Sequence, residues 1–124
     1  MRKAVMVKEA PKAGGHYSHV IVANGFAYVS GQGPQDPATG KMADNFAEQV
    51  RQTLRNVQTI LRGAGADFKD VVKVNAYLSD LTRFAEYNLI YKEFFPGEPP
   101  ARTTIGCALY GIHVEIDCIA VLPE

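Results

Sequence analysis

Apolar residues recur along this chain with two different periods, and the places where the period changes mark out its elements. Phe46, Val50, Leu54, Val57 and Leu61 stand three and four apart. That spacing predicts an amphipathic helix with one apolar stripe, capped by Asp44 and stopped at Gly63 or Gly65. A second stripe, Leu81, Phe84, Tyr87 or Asn88, Tyr91 and Phe94 or Phe95, predicts another helix, capped by Asp80 and ended by Pro96 to Pro100. Strand-like runs lie between and around them, at His19–Ala23, Phe26–Ser30, Val71–Leu78, Arg102–Ala108 and His113–Val121, with a weaker one at Ala4–Val7. Asn24-Gly25 is the pair a two-residue type I′ hairpin turn prefers, so the first two well-marked strands are expected to be antiparallel neighbours. Gly31 to Gly40 is too rich in glycine and proline for a regular element and is expected to be a loop.

The predicted order is (β)ββαβαββ, in which each helix carries the chain from one strand to another of a single mixed sheet. Right-handed crossovers put both helices on one face. Within Val71–Leu78, Val72, Val74, Ala76 and Leu78 form one side and Val71, Lys73, Asn75 and Tyr77 the other. In the last strand Val114, Ile116, Cys118 and Ala120 make the apolar side, while Glu115 and Asp117 are followed by Ile119 and Val121 on the opposite one. A face carrying Ile119, Val121, Val71 and Tyr77 is expected to need a cover, and a second copy of the chain is the natural one.

At 124 residues the chain is expected to form one domain spanning residues 1–124. Thirteen Lys and Arg balance thirteen Asp and Glu, with no long run of one sign, which argues against nucleic acid or an anionic membrane as partner. The apolar stretches fall well short of a membrane span, and the N-terminus lacks the form of a secretory signal, so a soluble cytoplasmic protein is expected. Cys107 and Cys118 then read as buried thiols rather than a disulfide.

No phosphate loop, dinucleotide fingerprint, HExxH, CxxC or Gly-x-Ser-x-Gly elbow is present. His16, His19 and His113 make a poor zinc set, so no metal site is expected. Arg102 enters its strand directly after Pro99-Pro100-Ala101. Its rigid fork could clamp a small carboxylate, or it could make a salt bridge at an interface. Glu115 sits between apolar neighbours, where burial would raise its pKa and suit it to relay a proton; the alternative is an ion pair across a subunit contact. Tyr17, Ser30, Thr103 and Thr104 are neutral polar candidates near strand ends. The Ser30-Gly31-Gln32-Gly33 run could offer backbone N–H groups to an oxygen. Tyr87 and Tyr91 read as packing residues, and Asn88 as an amide that pins a loop.

In that order along the chain, Gly15-His16-Tyr17-Ser18, Val29-Ser30-Gly31-Gln32, Asn88 to Phe95, Pro100-Ala101-Arg102 and Val114-Glu115-Ile116-Asp117 resemble the RidA/YjgF/YER057c/UK114 family of enamine and imine deaminases, whose family name is also endoribonuclease L-PSP. The resemblance runs from about Val5 to Val121. It implies an α+β, chorismate-mutase-like fold assembled as a homotrimer around a central β-barrel, with sites between subunits. It also implies hydrolysis of 2-aminoacrylate or 2-iminobutyrate type substrates to 2-oxo acids and ammonia, without metal or organic cofactor. By position it makes Arg102 the carboxylate clamp and Glu115 the residue that positions or activates water. Tyr17, Ser30, Gly31 and Thr104 become pocket residues, and Asn88 and His16 lie just behind them.

The chain departs from the family pattern at three places. His16 stands where a proline is usual, Thr103-Thr104 where many members have Ser and then Cys, and the link from Ala108 to Val114 is about two residues short. These changes leave the clamp and alter the space for the substrate side chain. A larger imino acid such as 2-aminomuconate and a non-catalytic trimer that binds a small carboxylate are therefore the alternative readings.

Overall fold

The computed structural model describes residues 1–124. Six strands, β1 (Arg2–Val5), β2 (Val20–Ala23), β3 (Phe26–Gln32), β4 (Val71–Leu78), β5 (Ala101–Gly106) and β6 (Val114–Val121), form one sheet in the order β1-β2-β3-β6-β4-β5. Every neighbouring pair is antiparallel except β4 and β5. The two helices are α1 (Phe46–Gly63) and α2 (Phe84–Phe94). Helix α1 carries the chain from β3 over β6 to β4, and α2 joins β4 to its parallel neighbour β5. The two helices pack on each other on the same side of the sheet, as the crossover rule requires.

Local chemistry sets these limits. Asn24 and Gly25 adopt φ of 51° and 80°, the left-handed pair of a type I′ turn, and Ala23 faces Phe26 across it. Asn45, not Asp44, caps α1: its side chain accepts from the Glu48 backbone N–H, because the helix starts one residue later than the acidic pattern suggests. At the other end Gly65 has φ 91° and the Ala66 N–H reaches back to the Leu61 carbonyl at 2.9 Å, a Schellman-type stop. The α1 stripe is buried as its spacing demands, with Val50, Leu54, Ile60 and Leu61 fully enclosed. Burial of each such side chain contributes on the order of 2 kcal/mol. They meet Val74, Ala76 and Leu78 of β4 and Val114, Ile116, Cys118 and Ala120 of β6 in one apolar cluster.

Three expectations are corrected. A register shift between Val71 and Lys73 turns Val71 into the core and leaves Val72 43% exposed, the reverse of strict alternation. Leu81 and Phe84 lie outside the core of this chain; Tyr87, Ile90 and Tyr91 form the buried side of α2. Strand β3 continues through Ser30 and Gly31 to Gln32, with an irregularity after Val29, so the glycine-rich loop begins only at Gly33.

The face of the sheet away from the helices is uncovered in this chain. Tyr28 and Val121, exposed by more than 40% each, stand there with Ile119 and Tyr77. No helix is long and apolar enough to cross a membrane.

Candidate functional site

The candidate residues gather in two places. At the first, Tyr17 and Ser30 line one surface cavity, and Gly31, next in the chain, lies against Glu115. His19 anchors the approach to it: its Nδ1 accepts from the Val7 N–H and its Nε2 donates to the Pro11 carbonyl, each at 2.8 Å, which fixes a neutral tautomer. The Tyr17 hydroxyl accepts from the Gly14 N–H at 3.0 Å. Ser30 donates its hydroxyl proton to the Ser18 carbonyl at 2.6 Å and keeps its oxygen free to accept. His16, exposed, lines a surface cavity of about 570 Å³ with Tyr17, Ser18, Ser30, Arg2 and Ile21.

Gly31 lies against Glu115. A Cβ at Gly31 would collide with the Glu115 carboxyl, reaching its Cδ at 3.0 Å, so only glycine leaves that carboxyl where it stands. Glu115 makes no ion pair within the chain. Burial first, and the charge of Asp117 second, hold its pKa above the usual carboxylate range.

Arg102, Thr104 and Asn88 form the second place. The Arg102 guanidinium lies over three rings presented by α2, at 4.5 Å from the Tyr91 centroid, 5.3 Å from Tyr87 and 5.6 Å from Phe84. These rings sit at positions i, i+3 and i+7 and also contact one another in series. A cation on aromatic faces is held without spending its N–H donors. Arg102 has no carboxylate partner in the chain, so its fork is available to an incoming acid. Tyr87 and Tyr91 pack, as expected, and part of what they pack against is the arginine. They are the floor under the arginine, legible as aromatic spacing on a helix that leads to a Pro-Pro-Ala-Arg entry.

Three hydroxyls around this guanidinium, those of Tyr87, Tyr91 and Thr104, are buried with no hydrogen-bond partner. Burial pushes the phenols of both Tyr87 and Tyr91 above their ordinary range. Asn88 is half-buried and lines a cavity of about 560 Å³ with Tyr91, Lys92, Phe95, Pro100 and Arg102. It pins no loop. That task falls to Asn56, 1% exposed, whose amide donates to the carbonyls of Gly33 and Gln35 at 2.9 and 2.8 Å. Gln49 ties two further segments: its amide N–H donates to the Ala43 carbonyl at 2.7 Å, and its Oε1 accepts from the His113 N–H at 3.0 Å. Both are polar residues set two turns apart beside an apolar stripe, which is the signal that could have found them.

The two places lie on opposite faces of the sheet. Arg102 pairs with Val74 and Glu115 pairs with Tyr77, three residues apart on β4. An odd separation along a strand reverses the side-chain direction. Thr104, paired with Ala76, shares the helix face with Arg102.

Comparison with known proteins bears on the family and the fold. The sequence profile of the family described as Endoribonuclease L-PSP matches residues 7–122. A rat protein named 2-iminobutanoate/2-iminopropanoate deaminase is 40% identical over 124 residues, covering 98% of this chain and 90% of its own. Protein MMF1, mitochondrial, of Saccharomyces cerevisiae is 35% identical over 97% of this chain and 83% of its own. Its name places it in an organelle, so likeness alone does not carry the expectation of a cytoplasmic protein. The crystal structure of E. coli TdcF with bound serine superposes with a TM-score of 0.92 at 32% identity, covering 98% of this chain and 99% of that one. A family profile spanning nearly the whole chain, together with relatives of this similarity and the matching fold, means that the chain belongs to the Endoribonuclease L-PSP family, the RidA/YjgF/YER057c/UK114 family that its residue pattern resembles.

Proposed function

We propose that this protein hydrolyses small 2-imino and 2-enamino acids to 2-oxo acids and ammonia, as a homotrimer whose sites lie between subunits. One observation carries the reading: the chain holds an unpaired guanidinium and an unpaired, partly buried carboxyl on opposite faces of its sheet. Each lacks what the other would supply. A second copy laid on the uncovered face can bring its Arg102 to this copy's Glu115 and Gly31, and a cyclic arrangement repeats that contact around an axis. The same contact covers Tyr28, Ile119 and Val121.

In such a site the Arg102 fork takes the substrate carboxylate by two charge-assisted hydrogen bonds. An enamine first takes a proton from solvent at carbon 3 and becomes the iminium tautomer. Water then adds at carbon 2: the new C–O bond forms as the C=N π pair moves to nitrogen, and Glu115 takes the proton that the water loses. Glu115 returns that proton to nitrogen; an oxygen lone pair then forms the C=O bond as the C–N bond breaks with its electrons leaving on ammonia, and the hydroxyl proton passes to solvent, giving the 2-oxo acid. Tyr17, Ser30 and the Gly31 backbone shape the space around carbon 2, Thr104 lies beside the carboxylate, and Asn88 and His16 stand at the rims. The reaction asks the protein for orientation, fixed charge and one proton relay, which its own side chains can supply. The rat relative's name gives the substrate class this reading adopts.

The bound serine in the TdcF structure favours one alternative, a trimer that binds small amino or oxo acids without turnover. Ammonia release from 2-iminobutyrate, generated in place by a threonine dehydratase, separates the two. Acceleration that Arg102→Ala and Glu115→Ala each reduce by about a hundredfold or more supports the deaminase. Binding of a 2-oxo acid that needs Arg102 but not Glu115, without acceleration, supports the binder.

A further inference from the structure

A second acid stands beside Glu115 on the same strand face. Asp117 lies two positions along β6, and β4 fixes it from across the ladder. The Asn75 amide donates to Asp117 Oδ1 at 2.9 Å, and the Tyr77 hydroxyl donates to Oδ2 at 3.1 Å. Asn75 is the direct cross-strand partner of Asp117, and Tyr77 that of Glu115. Tyr77 therefore reaches diagonally past Glu115 to hold its neighbour. Both oxygens of Asp117 thus have a donor, and neither has a cation.

The surroundings leave that charge unopposed within the chain. Lys73, the nearest cation on this side of β4, turns its ammonium to the Thr103 hydroxyl at 2.8 Å, toward β5. Strand β3 meets Glu115 with Gly31, which has no side chain. Tyr77 is a titratable neighbour on this face, and burial holds its phenol above the ordinary range. Arg102 of this copy is on the opposite face.

We propose that Asp117, clamped by Asn75 and Tyr77, is a positioning residue that biases Glu115 toward keeping its proton. The role in chemistry rests on the deaminase reading. In the assembled site the Arg102 that a second copy brings to Glu115 offsets the charge of Asp117 while the site is empty. Once a substrate carboxylate occupies that arginine its charge is neutralised, and Asp117 becomes the dominant charge near Glu115. A carboxyl held nearer neutrality takes a proton from water and returns it to nitrogen with little loss in either direction. Burial acts on Glu115 in the same sense, so the two effects add.

The test follows the Glu115 carboxyl by carbon-13 NMR titration in the intact protein, in the wild type and in Asp117→Asn, with assignment by Glu115→Gln. Removal of a like charge two positions away on the same strand face is expected to lower the Glu115 midpoint. The limb of the pH profile of kcat/KM that belongs to Glu115 is expected to move with it, whereas a merely structural loss would lower activity without moving the limb. The paired change Asn75→Ala with Tyr77→Phe keeps the charge but releases the clamp, and is expected to leave most of the shift in place. An unchanged midpoint in a folded Asp117→Asn protein overturns the inference. Failure to turn over any imine would count against the deaminase reading, and the NMR midpoint would still decide the electrostatic role of Asp117.

Discussion

Arg102 and Glu115 are separated by three residues of register along β4 and point to opposite sides of the same sheet. The guanidinium rests on helix α2, and the carboxyl stands on the uncovered face beside Gly31. Proteins seldom leave two such charges unpaired without a use for them, and here the two belong to one proposed reaction.

The aromatic floor makes a separable prediction about binding. Tyr91→Ala removes the ring 4.5 Å beneath Arg102 and frees the guanidinium to leave its plane. A cation–π contact of about 1 kcal/mol corresponds to roughly a fivefold change, so KM for the imino acid is expected to rise about fivefold to tenfold, with kcat changed less. Tyr91→Phe keeps the ring and is expected to keep KM. Steady-state kinetics on both variants check it.

The buried phenol of Tyr87 predicts a gain in stability on its removal. Its hydroxyl lies near Thr104 and Arg102 but makes no hydrogen bond of good geometry, and the residue has no exposed surface, so Tyr87→Phe relieves a desolvation cost of about 1 kcal/mol. Thermal unfolding is expected to shift up by a few degrees. A lower melting temperature would mean that the hydroxyl is satisfied in the assembled protein.

Gly31→Ala is expected to leave the fold in place and remove most of kcat. The added methyl would displace the Glu115 carboxyl, the far end of a flexible side chain, rather than backbone. Circular dichroism and the ammonia-release assay read the two parts separately.

The raised pKa of Glu115 fixes the sign of a pH effect on stability. A carboxyl that holds its proton more tightly when folded contributes stability that is present below its unfolded pKa and is lost as the pH rises through the folded one. Relative to Glu115→Gln, the wild type is therefore expected to lose ground on going from acid to neutral pH. Melting curves of both proteins at a series of pH values measure it.

The two thiols are expected to differ. Cys118 is buried under the helices and its pKa is pushed up to about 12 by burial and, less, by Asp117; Cys107 is half-exposed past β5. A thiol reagent should label one cysteine per chain in the native protein and the second only on unfolding.

Much of the fold was legible because its signals are local. The α1 stripe, the Asn24-Gly25 turn and the bounds of β4 depend on spacing and turn chemistry that a few neighbouring residues settle. The faces of Val71 and Val72 were misread because a bulge depends on the partner strand, which no local pattern records. Leu81 and Phe84 were counted as core because apolar spacing does not say how far along a helix its apolar side stays enclosed. Arg102 and Glu115 stood out as charges among apolar neighbours, but their placement on opposite faces needed the parallel register of β5 on β4. Asn56 went unnoticed because its partners, the carbonyls of Gly33 and Gln35, carry no side-chain signature.

The central claim is that one site takes its arginine from one copy and its glutamate from another, and subunit mixing tests it most directly. Arg102→Ala and Glu115→Gln are each expected to be inactive alone. Unfolded together in equal amounts and refolded, they should recover about a quarter of wild-type activity, because about one contact in four in a random cyclic assembly joins an intact arginine to an intact glutamate. Recovery near that level, absent when the two proteins are mixed without unfolding, is the predicted result. No recovery from a mixture shown to contain hybrid assemblies would mean that both residues serve one chain's own site, and would contradict the account.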